Sequence, residues 1–188
     1  MKKYIISLLL VLLLVIALVL LYGKNREDKD DKANPVLVVN SFNDCVKEGN
    51  PIMKSYPRQC RSLDGRLFVE DIGNILEKDN LIRINYPLPN DKISSPLEIF
   101  GEARGLWCFE ADFPITLINS QGDIISEGIA SAEDDWMTED FVSFNSTLYF
   151  NISDIEEGEE GRLILKKDNP SGLEEHDDFL EIPVIFSF

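Results

Sequence analysis

The pattern of hydrophobic and polar positions begins with one long apolar run. Residues Tyr4–Tyr22 form 19 consecutive positions of which only Ser7 is polar. A helix over this run would be roughly 28 Å long at ~1.5 Å per residue, close to the hydrocarbon thickness of a bilayer. Lys2 and Lys3 precede the run. We therefore predict a transmembrane anchor over residues 1–23, with its N-terminus in the cytoplasm.

A cleaved signal peptide is the alternative interpretation of the apolar run. Signal peptides have a shorter apolar core, usually ~7–15 residues, that ends in small residues at a cleavage site. The sequence LVLLYGK at the end of this run offers no such site, which favours an uncleaved signal-anchor. Under either interpretation the remainder is exported. We predict a single-pass protein of the cytoplasmic membrane with an extracytoplasmic C-terminal domain.

The segments that follow the apolar run are short and mix charged, polar and apolar residues. Residues 24–35 combine both charges without a large apolar side chain, which predicts a flexible spacer. In residues 36–72, Cys45 and Cys60 are the natural disulfide pair, because an exported chain meets an oxidising compartment. We predict a small α+β module tied by this bridge, followed by a linker over residues 73–80.

Two short sequence motifs predict the secondary structure of this module. Ser41, with Asp44 three residues later, resembles a capping box and predicts a short helix that ends at Gly49. Asp64-Gly65 between two apolar stretches predicts a β-hairpin.

From residue 81 the apolar positions alternate with polar ones in short runs, as in half-buried β-strands. We predict strands near residues 81–86, 97–103, 107–118, 123–131, 143–151, 162–167 and 180–186. Three strands place a series on one face: Phe109, Ala111, Phe113, Ile115 and Leu117; Phe144, Ser146, Leu148 and Phe150; and Ile182, Val184 and Phe186. The chain is therefore mainly β, with an antiparallel immunoglobulin-like sandwich of about seven strands predicted over residues 81–188.

Two stretches also resemble known bacterial families. The first contains Phe42-Asn43-Asp44-Cys45, Tyr56-Pro57-Arg58-Gln59-Cys60 and Asp64-Gly65. It resembles a short two-cysteine segment of exported bacterial proteins, which implies no activity. The second contains Ser94-Ser95-Pro96-Leu97-Glu98-Ile99-Phe100-Gly101-Glu102-Ala103, Trp107-Cys108-Phe109-Glu110-Ala111 and Trp136-Met137. It resembles, over about residues 81–187, the immunoglobulin-like domain of bacterial spore-germination proteins. This resemblance implies an exported sandwich with an adhesion or interaction role.

The charge balance narrows the range of partners. Asp and Glu number 34 against 18 Lys and Arg, so the net charge is −16. A surface of this sign repels nucleic acid, which excludes DNA and RNA as partners. One interpretation of this acidic surface is solubility and resistance to self-association, and the alternative is attraction of cations or a basic partner.

No residue pattern indicates catalysis. Hydrolytic nucleophiles need a base, usually His, and the single histidine, His176, lies in an acidic loop with no nucleophile motif near it. We predict a protein that is not an enzyme and has no cofactor. Weak calcium candidates are present in two acidic loops, although neither matches the EF-hand pattern. They are Asp134, Asp135, Glu174, Glu175, Asp177 and Asp178.

A large apolar pair, Trp136-Met137, directly follows an acidic turn and suggests a binding surface. Trp107, Trp136 and Met137 are the candidate partner-binding residues. In the alternative interpretation, Trp136 folds back to cover one end of the core. Cys108 is predicted to be a partly buried free thiol, with a dimer-forming thiol as the alternative.

These observations predict a membrane-anchored, extracytoplasmic binding or interaction protein of the bacterial cell envelope. Its partner would be an envelope protein or a cell-wall glycan. The first alternative is a structural subunit of an envelope or germination-type complex. The weaker alternative is a cell-wall-active hydrolase.

Overall fold

The computed structural model describes residues 14–19, 38–151, 153 and 155–188. The chain divides into two compact units, Met1–Val39 and Asn40–Phe188. Residues 14–19 are helical, and no helix among the described residues has the length and apolar character needed to cross a membrane. The predicted anchor lies for the most part, and the predicted spacer 24–35 entirely, outside the described residues.

The disulfide predicted between Cys45 and Cys60 is present, and both cysteines are fully buried. Helix α1 (Phe42–Lys47) begins after Ser41, whose hydroxyl accepts the backbone N–H of Asp44 at 3.0 Å. Strands β1 (Ile52–Met53), β2 (Gln59–Arg61) and β3 (Leu67–Val69) form an antiparallel sheet in that order. The bridge ties α1 to the central strand, and closing a loop of this length stabilises a small unit by about 3 kcal/mol.

Helix α2 (Ile75–Lys78) leads into a second sheet of eight strands. The strands are β4 (Ile82–Tyr86), β5 (Lys92–Ile93), β6 (Leu97–Arg104), β7 (Asp112–Ile118), β8 (Ile124–Ala132), β9 (Phe141–Leu148), β10 (Glu160–Lys166) and β11 (Phe179–Phe186). Their order is β4-β6-β9-β8-β7-β10-β11-β5. All neighbours are antiparallel except β11 and β5.

The large sheet curls so that two halves face each other. Strands β8 and β9 pair only through Ser131 with Asn145 and Ala132 with Phe144, so the sheet folds back at this seam. One half is β4-β6-β9, and the other is β8-β7-β10-β11-β5. This is the two-layer arrangement of an immunoglobulin-like sandwich, with its layers joined at one edge.

The core lies between the two halves. Phe113 of β7 and Phe144 of β9 meet edge to face, with ring centroids 5.0 Å apart. Gly101 of β6 leaves room for the Phe144 ring, because a Cβ there would lie 2.8 Å from that ring and 2.1 Å from the carbonyl oxygen of Arg83. The predicted inward series of β11 is confirmed: Ile182, Val184 and Phe186 are fully buried.

The predicted strand 107–118 is wrong in its first part. Residues Gly105–Trp107 form a 3-10 turn, and β7 begins only at Asp112. Between them Glu110 and Ala111 adopt positive φ angles of 52° and 71°. Phe109 and Asp112 exchange backbone hydrogen bonds across this tight turn. Phe109 and Ala111 therefore do not continue the buried face of β7, and Phe109 is exposed.

Residues 73–80, predicted as a linker, are fixed against the sandwich. Asn74 accepts the backbone N–H of Glu181 at 2.8 Å and donates to the carbonyl of Phe179 at 2.9 Å. A Cβ on Gly73 would lie 1.8 Å from the Glu181 carbonyl oxygen, so only glycine fits here. Asp71 forms an ion pair with Arg162 of β10 at 2.6 Å. The disulfide module and the sandwich are thereby joined through β10 and β11.

A buried carboxylate stabilises the module in a pH-dependent way. Glu70 is 8% exposed and pairs with Arg58, whose Nε donates at 2.7 Å. The hydrogen bonds from Arg58 hold the pKa of Glu70 below its usual value of 4.5, despite burial. Because the pKa of Glu70 is lower in the folded state than in the unfolded state, its carboxylate stabilises the fold at pH values above the unfolded-state pKa. This stabilisation is lost as the pH falls through the folded-state pKa.

We expect Glu70→Gln to lower the free energy of unfolding at pH 7 by about 1–3 kcal/mol, since it replaces a buried charge-assisted hydrogen bond. The deficit relative to wild type should shrink as the pH falls below 4.5, when the wild-type carboxyl also becomes protonated. Urea unfolding at pH 7 and pH 3 measures both effects. Glu77→Gln, at an exposed position of α2, is the matched control. A deficit of equal size at the two pH values would contradict this account of Glu70.

Candidate binding groove at the loop end of the sandwich

Three connections meet at one end of the sandwich. They are the β6–β7 loop (residues 105–111), the β8–β9 loop (133–140) and the β10–β11 loop (167–178). Between them lies an open groove of about 630 Å³, the loop-end groove. Its lining includes Leu106, Phe109, Trp136, Met137, Lys167, Pro170 and His176.

Apolar side chains remain exposed around the loop-end groove. Leu106 is 69% exposed and Met137 is 76% exposed. Trp136 packs partly against the core, and its ring meets that of Phe109 edge to face at 6.4 Å. Grouped apolar side chains at a concave surface are typical of a binding site, whereas scattered ones are common on any protein.

Backbone contacts hold the β8–β9 loop against the β6–β7 loop. A Cβ on Gly105 would lie 1.9 Å from the carbonyl oxygen of Trp136, so the loops approach more closely than any other residue would allow. The N–H of Gly105 donates to the carbonyl of Asp140 at 3.2 Å. Asp135 accepts the backbone N–H of Met137 at 3.0 Å, which fixes the turn that carries this exposed side chain.

The remaining loop and the base of the groove are also tied in place. The N–H of Asp168 donates to the carbonyl of Trp107 at 3.0 Å, which joins the β10–β11 loop to the β6–β7 loop. Arg104 donates to the carbonyl of Glu139 at 2.8 Å. The guanidinium groups of Arg83 and Arg104 lie 4.2 and 4.5 Å from the Phe141 ring centroid. Such contacts contribute about 0.5–1 kcal/mol each at exposed sites. The groove is therefore largely preformed.

The rim of the groove is strongly acidic. The three loops contain eleven Asp and Glu residues against one lysine, Lys167. Within the described part of the chain, only Asp178 of these acids forms an ion pair, with Lys78 at 2.5 Å. The unpaired carboxylates give the rim a negative field that favours a positively charged partner.

The sandwich with these loops has a known family counterpart. Residues 81–172 match the family described as the immunoglobulin-like domain of bacterial spore germination. The resemblance predicted from the sequence is thereby confirmed over this range, which contains β4 to β10. Searches among curated proteins and among solved structures gave no match. The family match indicates a non-catalytic binding or structural role for this immunoglobulin-like domain.

The immunoglobulin-like domain brings two of the three predicted partner-binding residues into the loop-end groove, namely Trp136 and Met137. The partial packing of Trp136 against the core also agrees with the alternative interpretation, in which it covers one end of the core. Trp107 is only 2% exposed, which removes it from the surface candidates. Its Nε1 finds no acceptor among the described residues.

The calcium candidates divide between two loops of the domain. Asp134 and Asp135 lie in the β8–β9 loop, and the other four, Glu174, Glu175, Asp177 and Asp178, lie in the β10–β11 loop. Across residues 14–19, 38–151, 153 and 155–188, no three His, Cys, Asp or Glu side chains come together as metal ligands. Calcium binding stays a prediction.

Sequence reasoning missed a serine–histidine contact at the groove. The Oγ of Ser171 lies 3.0 Å from Nδ1 of His176. The same hydroxyl donates a hydrogen bond to Oδ1 of Asn169 at 2.5 Å. Nδ1 of His176 must then donate to Ser171, which is the reverse of a base activating a nucleophile. This contact therefore organises the loop.

Cys108 is a free, buried thiol that also borders the groove. Burial, with the negative charges of Asp112 and Asp168, raises the pKa of Cys108 to about 11 from 9.0. At pH 8 the reactive thiolate should be about 100-fold scarcer than for an ordinary cysteine.

We expect Ellman's reagent to find almost no fast-reacting thiol in the native protein and one thiol in 6 M guanidinium chloride. Rapid native labelling, or a dimer seen only without reductant, would favour the dimer-forming alternative.

Trp136 and Trp107 should differ in their access to solvent. Acrylamide is the appropriate quencher, since iodide would be repelled by the acidic rim. We expect a clear quenching slope in wild type and a much smaller slope in Trp136→Phe, in which only the buried Trp107 emits. An unchanged slope in Trp136→Phe would mean that Trp136 does not face the groove.

Proposed function

We propose that this chain is a membrane-anchored binding protein of the bacterial cell envelope and that its loop-end groove holds a segment of a protein partner. The observation that carries the proposal is the exposure of Leu106 and Met137 on loops whose backbones are already fixed. Because the loop backbones are already ordered, binding costs little backbone entropy, and burial of these exposed side chains gains from the removal of water.

The charge of the rim supports a protein partner over a wall polymer. Anionic polymers would be repelled by the acidic residues of the β8–β9 and β10–β11 loops. A peptide segment with apolar and basic side chains would satisfy both the groove and its rim. Association should then be faster at low ionic strength, because salt screens attraction between exposed charges.

Two features support the proposed location. The apolar run Tyr4–Tyr22 is long enough to span a bilayer, and Lys2 and Lys3 favour a cytoplasmic N-terminus. The bridge between Cys45 and Cys60 is of the kind that persists in oxidising compartments. Together they support an extracytoplasmic position for the immunoglobulin-like domain.

Site-specific photocrosslinking in the native host tests the proposal. The photoreactive residue p-benzoylphenylalanine is placed at Met137 of the full chain or, as the matched control, at Ile124, which is 60% exposed on β8. We expect a discrete adduct with one envelope protein from position 137 and none from position 124. The adduct yield should fall when Leu106→Asp is added.

The same experiment separates the binding role from a structural subunit held by its membrane segment. Exchanging residues 4–22 for an unrelated apolar sequence of equal length should leave the adduct intact. Its loss after this exchange would favour the structural subunit of an envelope complex. Equal adducts from both positions would contradict binding at the loop-end groove.

A further inference from the structure

The disulfide module exposes an apolar sheet face of its own. Cys60 of β2 turns inward, so the residues on either side of it turn outward together with their partners on β1 and β3. The register places Met53 and Val69 beside Gln59, and Leu67 beside Arg61. Met53, Leu67 and Val69 are all exposed, and these residues with Gln59 and Arg61 are called the module face.

The turn between β2 and β3 extends the apolar character of this region. Leu63 in that turn is 99% exposed, which leaves a large aliphatic side chain entirely in solvent. A polar residue would serve equally well at a turn of this kind. An exposed leucine in the turn next to this sheet therefore adds to the apolar surface that the module leaves in solvent.

Two basic side chains accompany the apolar ones. Arg61 lies on the module face, and Lys54 follows β1 in the connection to β2, outside the pairs that define that face. Both are exposed, and neither forms an ion pair within the part of the chain that the structure describes. Arg58 and Arg66, by contrast, pair with Glu70 and Asp64.

The module differs in charge from the remainder. Residues 36–72 contain five Lys and Arg and five Asp and Glu, so the module has no net charge. Residues 73–188 contain seven basic against 25 acidic residues. An anionic surface would repel the sandwich but not the module, so this asymmetry orients the chain at such a surface.

We propose that the module face docks on the anionic surface of the membrane, with Leu63 and the apolar face at headgroup level and Lys54 and Arg61 on lipid phosphates. This inference rests on the proposed anchor, because the 15 residues 23–37 keep the module within about 50 Å of the bilayer even when fully extended. Exposed apolar groups with cations beside them are the combination that binds anionic lipid interfaces.

Quenching by brominated lipids tests this docking in the full chain. The substitution Leu63→Trp places a fluorophore at the turn, and Ile124→Trp on β8 is the matched exposed control. Each variant is reconstituted into nanodiscs of brominated phosphatidylcholine, with and without 30% phosphatidylglycerol. We expect the emission added by Leu63→Trp to be lost only in anionic discs, and the emission added by Ile124→Trp to persist in both.

Charge reversal provides the second arm. Combining Leu63→Trp with Lys54→Glu and Arg61→Glu should restore the emission in anionic discs, since both cations are exposed and unpaired. Unquenched emission from Leu63→Trp in anionic discs that contain the protein would overturn the docking. Contacts of the module with a second copy in the same discs, detected by crosslinking, would overturn it as well. Failure of the chain to enter discs at all would instead overturn the proposed anchor.

Discussion

Phe113 and Phe144 meet edge to face between the two halves of the large sheet, and their contact fixes how the sheet closes on itself. Strands β8 and β9 share only two paired positions in their ladder, so packing across the core adds to the few hydrogen bonds that cross the seam, such as that from the Ser146 hydroxyl to the carbonyl of Ile129 at 2.6 Å. Once the halves face each other, the β6–β7 and β8–β9 loops must both cross from one half to the other. These crossings converge on the β10–β11 loop at one end and create the loop-end groove.

The two proposed surfaces use the same apolar chemistry with opposite charge. At the loop-end groove, Leu106 and Met137 stand beside carboxylates, which selects a basic peptide segment. On the module face, Leu67 and Val69 stand beside Arg61, which selects an anionic lipid surface. A binding protein tethered to a membrane needs both kinds of selectivity. In the arrangement we propose, the module face would keep the acidic sandwich away from the bilayer, and the loop-end groove would receive the partner.

The sequence predicted most of the sandwich, because period-two alternation reports directly which side chains a strand buries. It failed between Trp107 and Ala111, where apolar residues continue to alternate through a turn that contains neither Gly nor Asn. Strand β5 was missed because two residues are too few to alternate. The disulfide between Cys45 and Cys60 was predictable because an exported chain meets an oxidising compartment and has few cysteines to pair. The groove as a whole could not be predicted, since it joins loops that are distant in sequence, and Trp107 gives no local sign that it is buried.

Alkylation of Met137→Cys in the full chain tests most directly whether a partner occupies the loop-end groove. Cys108 is buried, so a membrane-impermeant maleimide reports on the introduced thiol alone. The rate is compared between native host membranes and the detergent-purified chain, with Ile124→Cys as the reference. We predict slower labelling at position 137 in membranes and equal rates at position 124. Equal rates in both preparations at position 137 would contradict a groove that is occupied in the envelope.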